Sequence, residues 1–162
     1  MADSLGNGSG EARREENPES SPAKTKKVGG YVLEYVKASK LSEDLINVIL
    51  GPFLNSLRYG NDLFKLIERD AYFNSYGRYI RGLLQRPDSV IKFAILDDGT
   101  IAGWCLFERR TVHYVWVKKE ARREGMMRQL LPNEFDVISH LTNQGLKLWA
   151  NHFPQVIFNP FI

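Results

Sequence analysis

Three patterns follow one another within Thr111–Leu131, and together they constrain the fold more than any other stretch of this sequence. Val112–Val117 alternates and is rich in β-branched and aromatic residues, which predicts a buried strand. A highly charged connector, Lys118–Glu124, follows, and Gly125 then opens an apolar run with helical spacing. Amides at a helix N-terminus lack intrahelical partners, and the helix dipole is positive there. Strand, basic turn, glycine and helix therefore predict an anion-binding turn.

The residues before this stretch predict two strands joined by a tight turn. Val90–Leu96 and Ile101–Phe107 flank Asp97-Asp98-Gly99, which is typical of a hairpin. Gly103 inside the second strand indicates a bend or a close approach of another element. With Val112–Val117, the pair makes a three-stranded antiparallel meander.

The first half of the chain predicts one strand and a pair of helices. Gly29–Lys37 alternates as a strand, and apolar residues from Leu45 to Phe53 then follow helical spacing. Gly51-Pro52 should break or kink that helix, so that Asn55–Gly60 becomes a loop. Leu63–Leu84 has enough apolar residues for one broken helix or two short ones.

After the Gly125 helix the pattern predicts a strand at Val137–Leu141, a weak helix at Asn143–Phe153 and a final strand at Val156–Phe158. The complete order is β, helical pair, β-β-β, α, β, α, β. A meander followed by a βαβ unit predicts an α/β fold with a mixed, mostly antiparallel sheet and helices on both faces.

Composition divides the chain into a tail and one domain. Residues 1–27 carry five acids, five bases, one Leu and no aromatic residue, so they cannot bury enough apolar surface to offset their ordering entropy. We expect a disordered tail over 1–27 and a single domain over 28–162. The formal charge of +3 is too small to indicate a nucleic-acid binder, but it suits a polyanionic small ligand.

Cysteine usage and hydropathy indicate an intracellular protein. Cys105 is the only cysteine, so neither an intramolecular disulfide nor a cysteine zinc site can form, and a core position is expected for it. No apolar stretch is long enough to span a membrane, and no secretory signal opens the chain. We expect a cytoplasmic protein with no membrane partner; nothing predicts an oligomeric state.

The turn after Trp116-Val117 resembles the signature of the GCN5-related N-acetyltransferase (GNAT) family. That signature is a strand followed by Arg/Gln-x-x-Gly-x-Gly/Ala at a helix start, where it cradles the coenzyme A pyrophosphate. The matching residues are Arg122, Gly125 and Met127, and the predicted element order over 29–158 is also that of the family. The amino-acid sequence of residues 112–119 and 158–161 further resembles that of uncharacterised acetyltransferase-like proteins of bacteriophages.

The resemblance implies acetyl-coenzyme A as co-substrate, an amine acceptor, and direct attack of the amine on the thioester. It assigns coenzyme binding to the backbone of Val115 and Val117 and to the turn residues Arg122, Arg123, Glu124, Gly125, Met126 and Met127. Met127 departs from the signature, because a small residue is usual there, and its side chain is expected to crowd the phosphates. A non-catalytic protein of the same fold is therefore an alternative.

The same resemblance implies a general base near the start of the motif strand. His113 stands at that place, Glu108 is a second candidate, and His140 on the next strand is a third. The family's acid tyrosine has no counterpart, since Trp149 stands near that place and indole is a poor proton donor; Ser139, His140 and Tyr114 are substitutes. Three histidines without nearby carboxylate pairs predict no metal site.

The helical pair Leu45–Leu84 interleaves aromatic residues and arginines. This pattern fits a helical face packed on the sheet, and it also fits nucleobase stacking. A phage enzyme that modifies nucleic-acid bases is thus a further alternative, although a net charge of +3 supports it weakly.

Overall fold

The structure is a computed structural model that describes residues 25–28 and 30–162. The elements are β1 Thr25–Val28, β2 Tyr31–Lys37, α1 Glu43–Gly60, α2 Asp62–Lys65, α3 Arg69–Gln85, β3 Ser89–Leu96, β4 Ile101–Glu108, β5 Thr111–Val117, α4 Met126–Leu130, β6 Val137–Ile138, α5 Asn143–His152 and β7 Ile157–Phe158. Most of the predicted tail lies outside the described residues. Its last part, residues 25–27, belongs to β1, a strand that sequence patterning did not predict.

The seven strands form one sheet in the order β1-β2-β3-β4-β5-β6-β7. Neighbours are antiparallel from β1 to β5, whereas β5 pairs with β6 and β6 with β7 in parallel. The predicted mixed, mostly antiparallel α/β sheet is confirmed, as is the predicted order of its elements from β2 onwards.

Each face of the sheet carries its own apolar core. On one face α1 and α3 pack on β3, β4 and β5, and this core includes Phe53, Tyr72, Ile80, Trp104 and Tyr114. On the other face α4 and the segments around α5 pack on the sheet, and this core includes Leu33, Cys105, Val112, Met126, Leu130 and Ile138. The helices therefore cover both faces, as the alternation of the strands predicts.

Of the break or kink predicted at Gly51-Pro52, the break is wrong, because α1 runs through Pro52 to Gly60. The predicted loop Asn55–Gly60 is its last part. The buried face of α1 extends on both sides of Pro52, from Ile49 to Leu57, and this packing outweighs the lost hydrogen bond. Val48, whose carbonyl Pro52 leaves without its helical donor, is 44% exposed, so water can solvate it.

Gly103 marks a close approach, as predicted. A Cβ atom built on Gly103 would lie 2.8 Å from the carbonyl oxygen of Trp116 and 2.9 Å from Cδ1 of Leu130. Only glycine lets α4 and β5 pack against β4 at this distance. The position of the turn between β5 and α4 thus depends on a residue in a different strand.

The second half differs from the predictions mainly in the length of β6. The strand predicted at Val137–Leu141 is limited to Val137–Ile138, because its ladder with β5 ends where the Ser139 amide donates to the Val112 carbonyl at 3.0 Å. Ser139 and His140 therefore lie just beyond the strand. The α5 and β7 boundaries fall within one residue of the predicted ones, and no helix in the described part of the chain is long and apolar enough to cross a membrane.

Candidate active site

The C-terminal half of β5 has a backbone edge that pairs with no other described strand. In its ladder with β4, Trp104 pairs with Trp116, and the Lys118 amide donates to the Ala102 carbonyl at 2.8 Å. Since hydrogen-bonding directions alternate along a strand, the N–H and C=O groups of Trp116 point towards β4. Those of the intervening residue Val115 point to the other side.

On that other side, β6 has already left the sheet. Its pairing with β5 covers Thr111 and Val112 only, whereas Val115 and Val117 lie further along the strand. Among the described residues, no strand pairs with β5 on this side beyond Val112. A free strand edge of this kind can bind an extended ligand that carries amide groups.

The loop after β5 presents backbone amides. Arg123 and Gly125 have left-handed backbones, with φ angles of 73° and 75°, and Glu124 lies between them. Within the part of the chain that the structure describes, the amides of residues 123–127 donate to no backbone carbonyl. Because α4 has only five residues, its dipole is small, and converging loop amides are the better candidate for binding an anion.

Arg122 is held against the strand while its guanidinium remains exposed. Its Nε donates to the Val117 carbonyl at 3.0 Å, which leaves the two terminal amino groups of the guanidinium without a recorded partner among the described residues. The left-handed Arg123 is also exposed. Both arginines can therefore reach an anion that lies over the loop.

Met127 follows the loop and packs against the core on the α4 face of the sheet. Its side chain is half-buried against the core of the α4 face, and Met126 beside it is buried in that core. The crowding of the phosphates by Met127 stays a prediction from the sequence. Glu124 lies near Tyr31 of β2. The pKa of Tyr31 is raised, first by burial of its own side chain and second by the negative charge of Glu124.

A cleft of about 350 Å³ borders the same loop on the β2 side. Its walls include Tyr31, Leu96, Glu124, Gly125 and Gln129. The free edge of β5 lies on the β6 side of the loop. The cleft and the free edge are therefore separate features, and only the free edge adjoins the histidines described next.

The three residues predicted as candidate bases lie together, with Ser139 among them. Nδ1 of His113 is 3.0 Å from Oγ of Ser139, and the same Oγ is 2.7 Å from Nδ1 of His140. Nε2 of His113 lies 3.6 Å from Oε2 of Glu108, which is longer than a hydrogen bond. Glu108, His113, Ser139 and His140 thus form a continuous row at the point where β5 and β6 separate.

Both histidines are buried, and both have lowered pKa values. Burial is the main cause for His113, the positive charge of Arg86 adds to it, and Glu108 opposes it. Burial, followed by the proximity of His113, lowers the pKa of His140 to about 4, while the backbone of His113 has the opposite effect. Both imidazoles are therefore neutral at pH 7, and burial makes each of them a weaker base than a free imidazole.

Other elements fix the two ends of this row. Arg86, which caps α3, donates to Oε2 of Glu108 at 3.0 Å. The ring of His140 lies edge-on to Phe53 of α1, with centroids 5.5 Å apart, and 5.6 Å from the ring of Tyr79 of α3. The aromatic residues of the helical pair therefore contact the histidine row from one face of the sheet.

The substitutes for a general acid are less well placed. The hydroxyl groups of Tyr114 and Ser56 are 2.7 Å apart, and burial is the main cause of the raised pKa of Tyr114. Trp149 donates from Nε1 to the Val156 carbonyl at 2.9 Å, a structural contact.

Burial raises the pKa of the Cys105 thiol to about 12, as expected for a core cysteine. The described residues contain no cluster of three or more metal-ligating side chains.

Sequence reasoning missed Arg86 and the aromatic contacts of His140. Arg86 follows the predicted helical segment Leu63–Leu84, and nothing in its neighbours along the chain indicates an ion pair with Glu108. The contacts of Phe53 and Tyr79 depend on how α1 and α3 cross the sheet. Such long-range placement has no signal in local periodicity.

No protein-family profile matches the sequence, and a search of curated proteins gives no match. Among solved structures, the xEco2 acetyltransferase domain is similar over 88% of this chain and 99% of its own, with 12% identity and a TM-score of 0.49. A ribosomal-protein-alanine N-acetyltransferase from Brucella melitensis biovar Abortus 2308 is similar over 78% of each chain, with 15% identity and a TM-score of 0.37. An aminoglycoside 6'-N-acetyltransferase from Acinetobacter baumannii is similar over 78% of this chain and 77% of its own, also with 15% identity and a TM-score of 0.37. These are distant similarities in the path of the backbone, and no activity is inferred from them.

Proposed function

We propose that this protein is an acetyl-coenzyme A-dependent N-acetyltransferase that acts on a primary amine by direct attack. The observation that carries the proposal is the free backbone edge of β5 at Val115 and Val117. It adjoins the row of His113, Ser139 and His140 on one side and the amide-rich loop on the other. A strand edge, an anion-binding loop and a base are the three parts that this reaction requires.

The pantetheine arm of the coenzyme carries amide groups, which can pair with a strand edge as another strand would. Val117 is suited to that pairing, although its carbonyl already accepts from Arg122. The pyrophosphate would lie over the amides of residues 123–127, with Arg122 and Arg123 supplying positive charge. The packing of Met127 into the core supports this arrangement.

The thioester supplies an activated acyl group, and the protein residues position and deprotonate the amine. In this proposal the Val115 amide donates to the carbonyl oxygen as negative charge develops there. The amine nitrogen forms a bond to the carbonyl carbon, the carbon–sulfur bond breaks, and a proton leaves the nitrogen for the histidine row. With no tyrosine acid in place, the thiolate leaves without a protein proton donor.

Two other functions remain open. The absence of an acid tyrosine and the structural role of Trp149 favour a non-catalytic binding protein of this fold. For a nucleic-acid base-modifying enzyme, aromatic residues of α1 and α3 would have to be accessible; Phe53 and Tyr72 are buried in the core, whereas Tyr59 and Tyr79 are exposed. A bacteriophage origin and a cytoplasmic location stay predictions from the sequence.

Thiol release from acetyl-coenzyme A, measured with a panel of primary amines, tests the proposed activity, and calorimetry with the same ligand tests binding. His113→Ala should lower turnover by about ten-fold or more, because it interrupts the histidine row that deprotonates the amine, and should leave binding nearly unchanged. His152→Ala, an exposed histidine of α5, is the matched control and should leave both unchanged. Binding without turnover would favour the binding protein, and salt-sensitive DNA binding without coenzyme binding would favour the nucleic-acid enzyme.

A further inference from the structure

One hydroxyl group lies between two imidazoles. Oγ of Ser139 is within hydrogen-bonding distance of Nδ1 of His113, at 3.0 Å, and of Nδ1 of His140, at 2.7 Å. A hydroxyl has a single proton, so it donates to one of these nitrogens and accepts from the other. The two histidines must therefore be opposite tautomers: one carries its proton on Nδ1, and the other carries it on Nε2.

Glu108 decides which histidine is which. Nε2 of His113 is enclosed and has no hydrogen-bond partner, and the closest acidic oxygen, Oε2 of Glu108, is 3.6 Å away. A proton on Nε2 is attracted by this carboxylate, whereas a lone pair there is repelled by it. The guanidinium of Arg86, 3.0 Å from the same oxygen, stabilises the carboxylate as an anion. His113 is thus the Nε2–H tautomer.

The remaining protons follow in order. Nδ1 of His113 has a lone pair and accepts from the Ser139 hydroxyl, whose oxygen then accepts from Nδ1–H of His140. We propose that this chain of hydrogen bonds leaves Nε2 of His140 as the atom that takes the proton from the acceptor amine, with Ser139 and His113 as positioning residues. The inference rests on the proposed function and names the base within it.

His140 is placed to meet an acceptor. The described residues contain two enclosed side-chain polar atoms without a partner, Trp104 Nε1 and His113 Nε2. Nε2 of His140 is not one of them, and the His140 side chain as a whole keeps a small exposed fraction of 5%. Around it stand Phe53 of α1 and the phenols Tyr76 and Tyr79 of α3.

The proton taken from the amine can pass along the histidine row to Glu108. When Nε2 of His140 gains a proton from the amine, Nδ1–H of His140 passes its proton to Ser139, and the Ser139 hydroxyl passes its own to His113. Nε2–H of His113 then protonates Glu108, which is 21% exposed and can release the proton to water. Neither imidazole carries a lasting positive charge. That agrees with the lowered pKa values of both.

Nuclear magnetic resonance of the imidazole nitrogens in the full chain reads the tautomers without any substrate. We expect Nε2–H at His113 and Nδ1–H at His140. Ser139→Ala should return His140 to Nε2–H while His113 keeps its tautomer, and Ser139→Thr should preserve both. Ser56→Ala, which removes a half-buried hydroxyl 2.7 Å from that of Tyr114, is the matched control and should change neither.

Nε2–H at His140 in the unaltered protein, or an unchanged His140 in Ser139→Ala, would overturn the inference. If an amine substrate is acetylated, Ser139→Ala should lower kcat by about ten-fold or more, with KM for acetyl-coenzyme A within about two-fold, and Ser139→Thr should restore it. Absence of turnover would count against the proposed function alone, because the tautomers are measured independently of it.

Discussion

Gly125 has a backbone conformation that an L-residue adopts at a cost. Its φ angle is 75°, and a Cβ atom there would meet nothing within 4 Å, so the cost is conformational rather than steric. The amides that this conformation orients are those proposed to bind the pyrophosphate. The same residue therefore links local backbone geometry to ligand affinity.

Gly125→Ala should lower the free energy of unfolding by about 1–2 kcal/mol, the usual cost of a left-handed Ala, and should weaken acetyl-coenzyme A binding. Gly82→Ala on the exposed side of α3 is a matched control; it should stabilise the protein by about 0.5–1 kcal/mol and leave binding alone. Urea unfolding and calorimetry measure the two effects. Equal binding by both variants would exclude the loop as the phosphate site.

At the scale of elements, α1 shows how packing overrides a local signal. Proline lacks an amide proton, and for this reason the sequence predicts a break at Pro52. The apolar residues before and after it nevertheless share one buried face. Local spacing predicted the apolar positions of α1, but the continuity of the helix depends on contacts with the sheet.

Pro52→Ala should therefore stabilise the protein. Alanine restores the hydrogen bond to the Val48 carbonyl and removes a cost of about 3 kcal/mol, while the more flexible unfolded chain takes back up to about 1 kcal/mol. A net gain of about 2 kcal/mol is expected in urea unfolding. A loss of stability would mean that the proline shapes α1 for packing.

The short β6 is the element that opens the site. Sequence patterning extended this strand to Leu141, since Val137–Leu141 has nothing that would end it. The structure ends its pairing at Ile138 and so exposes the edge at Val115. Strand pairing is a long-range property, and the separation of two parallel strands leaves no mark in either one. The candidate residues His113 and His140 were predictable, but their joining through Ser139 was not.

At the scale of the whole molecule, the buried histidines make stability depend on pH. Their pKa values are lowered in the folded state, so between about pH 6.5 and pH 4 the unfolded chain binds more protons than the folded one. Stability should be constant above this window and fall as the pH drops through it. His140 alone should contribute up to about 1.4 kcal/mol per pH unit.

Urea unfolding at a series of pH values measures this slope. His140→Gln keeps a polar side chain beside Ser139 but cannot titrate. Between pH 6.5 and 4, its free energy of unfolding should therefore change less steeply with pH, by up to about 1.4 kcal/mol per pH unit, which corresponds to one proton. An unchanged slope would show that His140 is accessible enough to protonate in the folded protein. That result would also remove the electrostatic support for a neutral histidine row.

The central claim is that the free edge of β5 binds the coenzyme thioester, and an amide correlation spectrum recorded during titration with acetyl-coenzyme A tests it most directly. We predict saturable shifts of the Val115 and Val117 amides together with those of residues 123–127, while Gly82 on α3 stays unchanged. Saturable shifts confined to the Tyr31 side of the loop, or no shift at Val115 and Val117 with millimolar ligand and a folded protein, would contradict the claim.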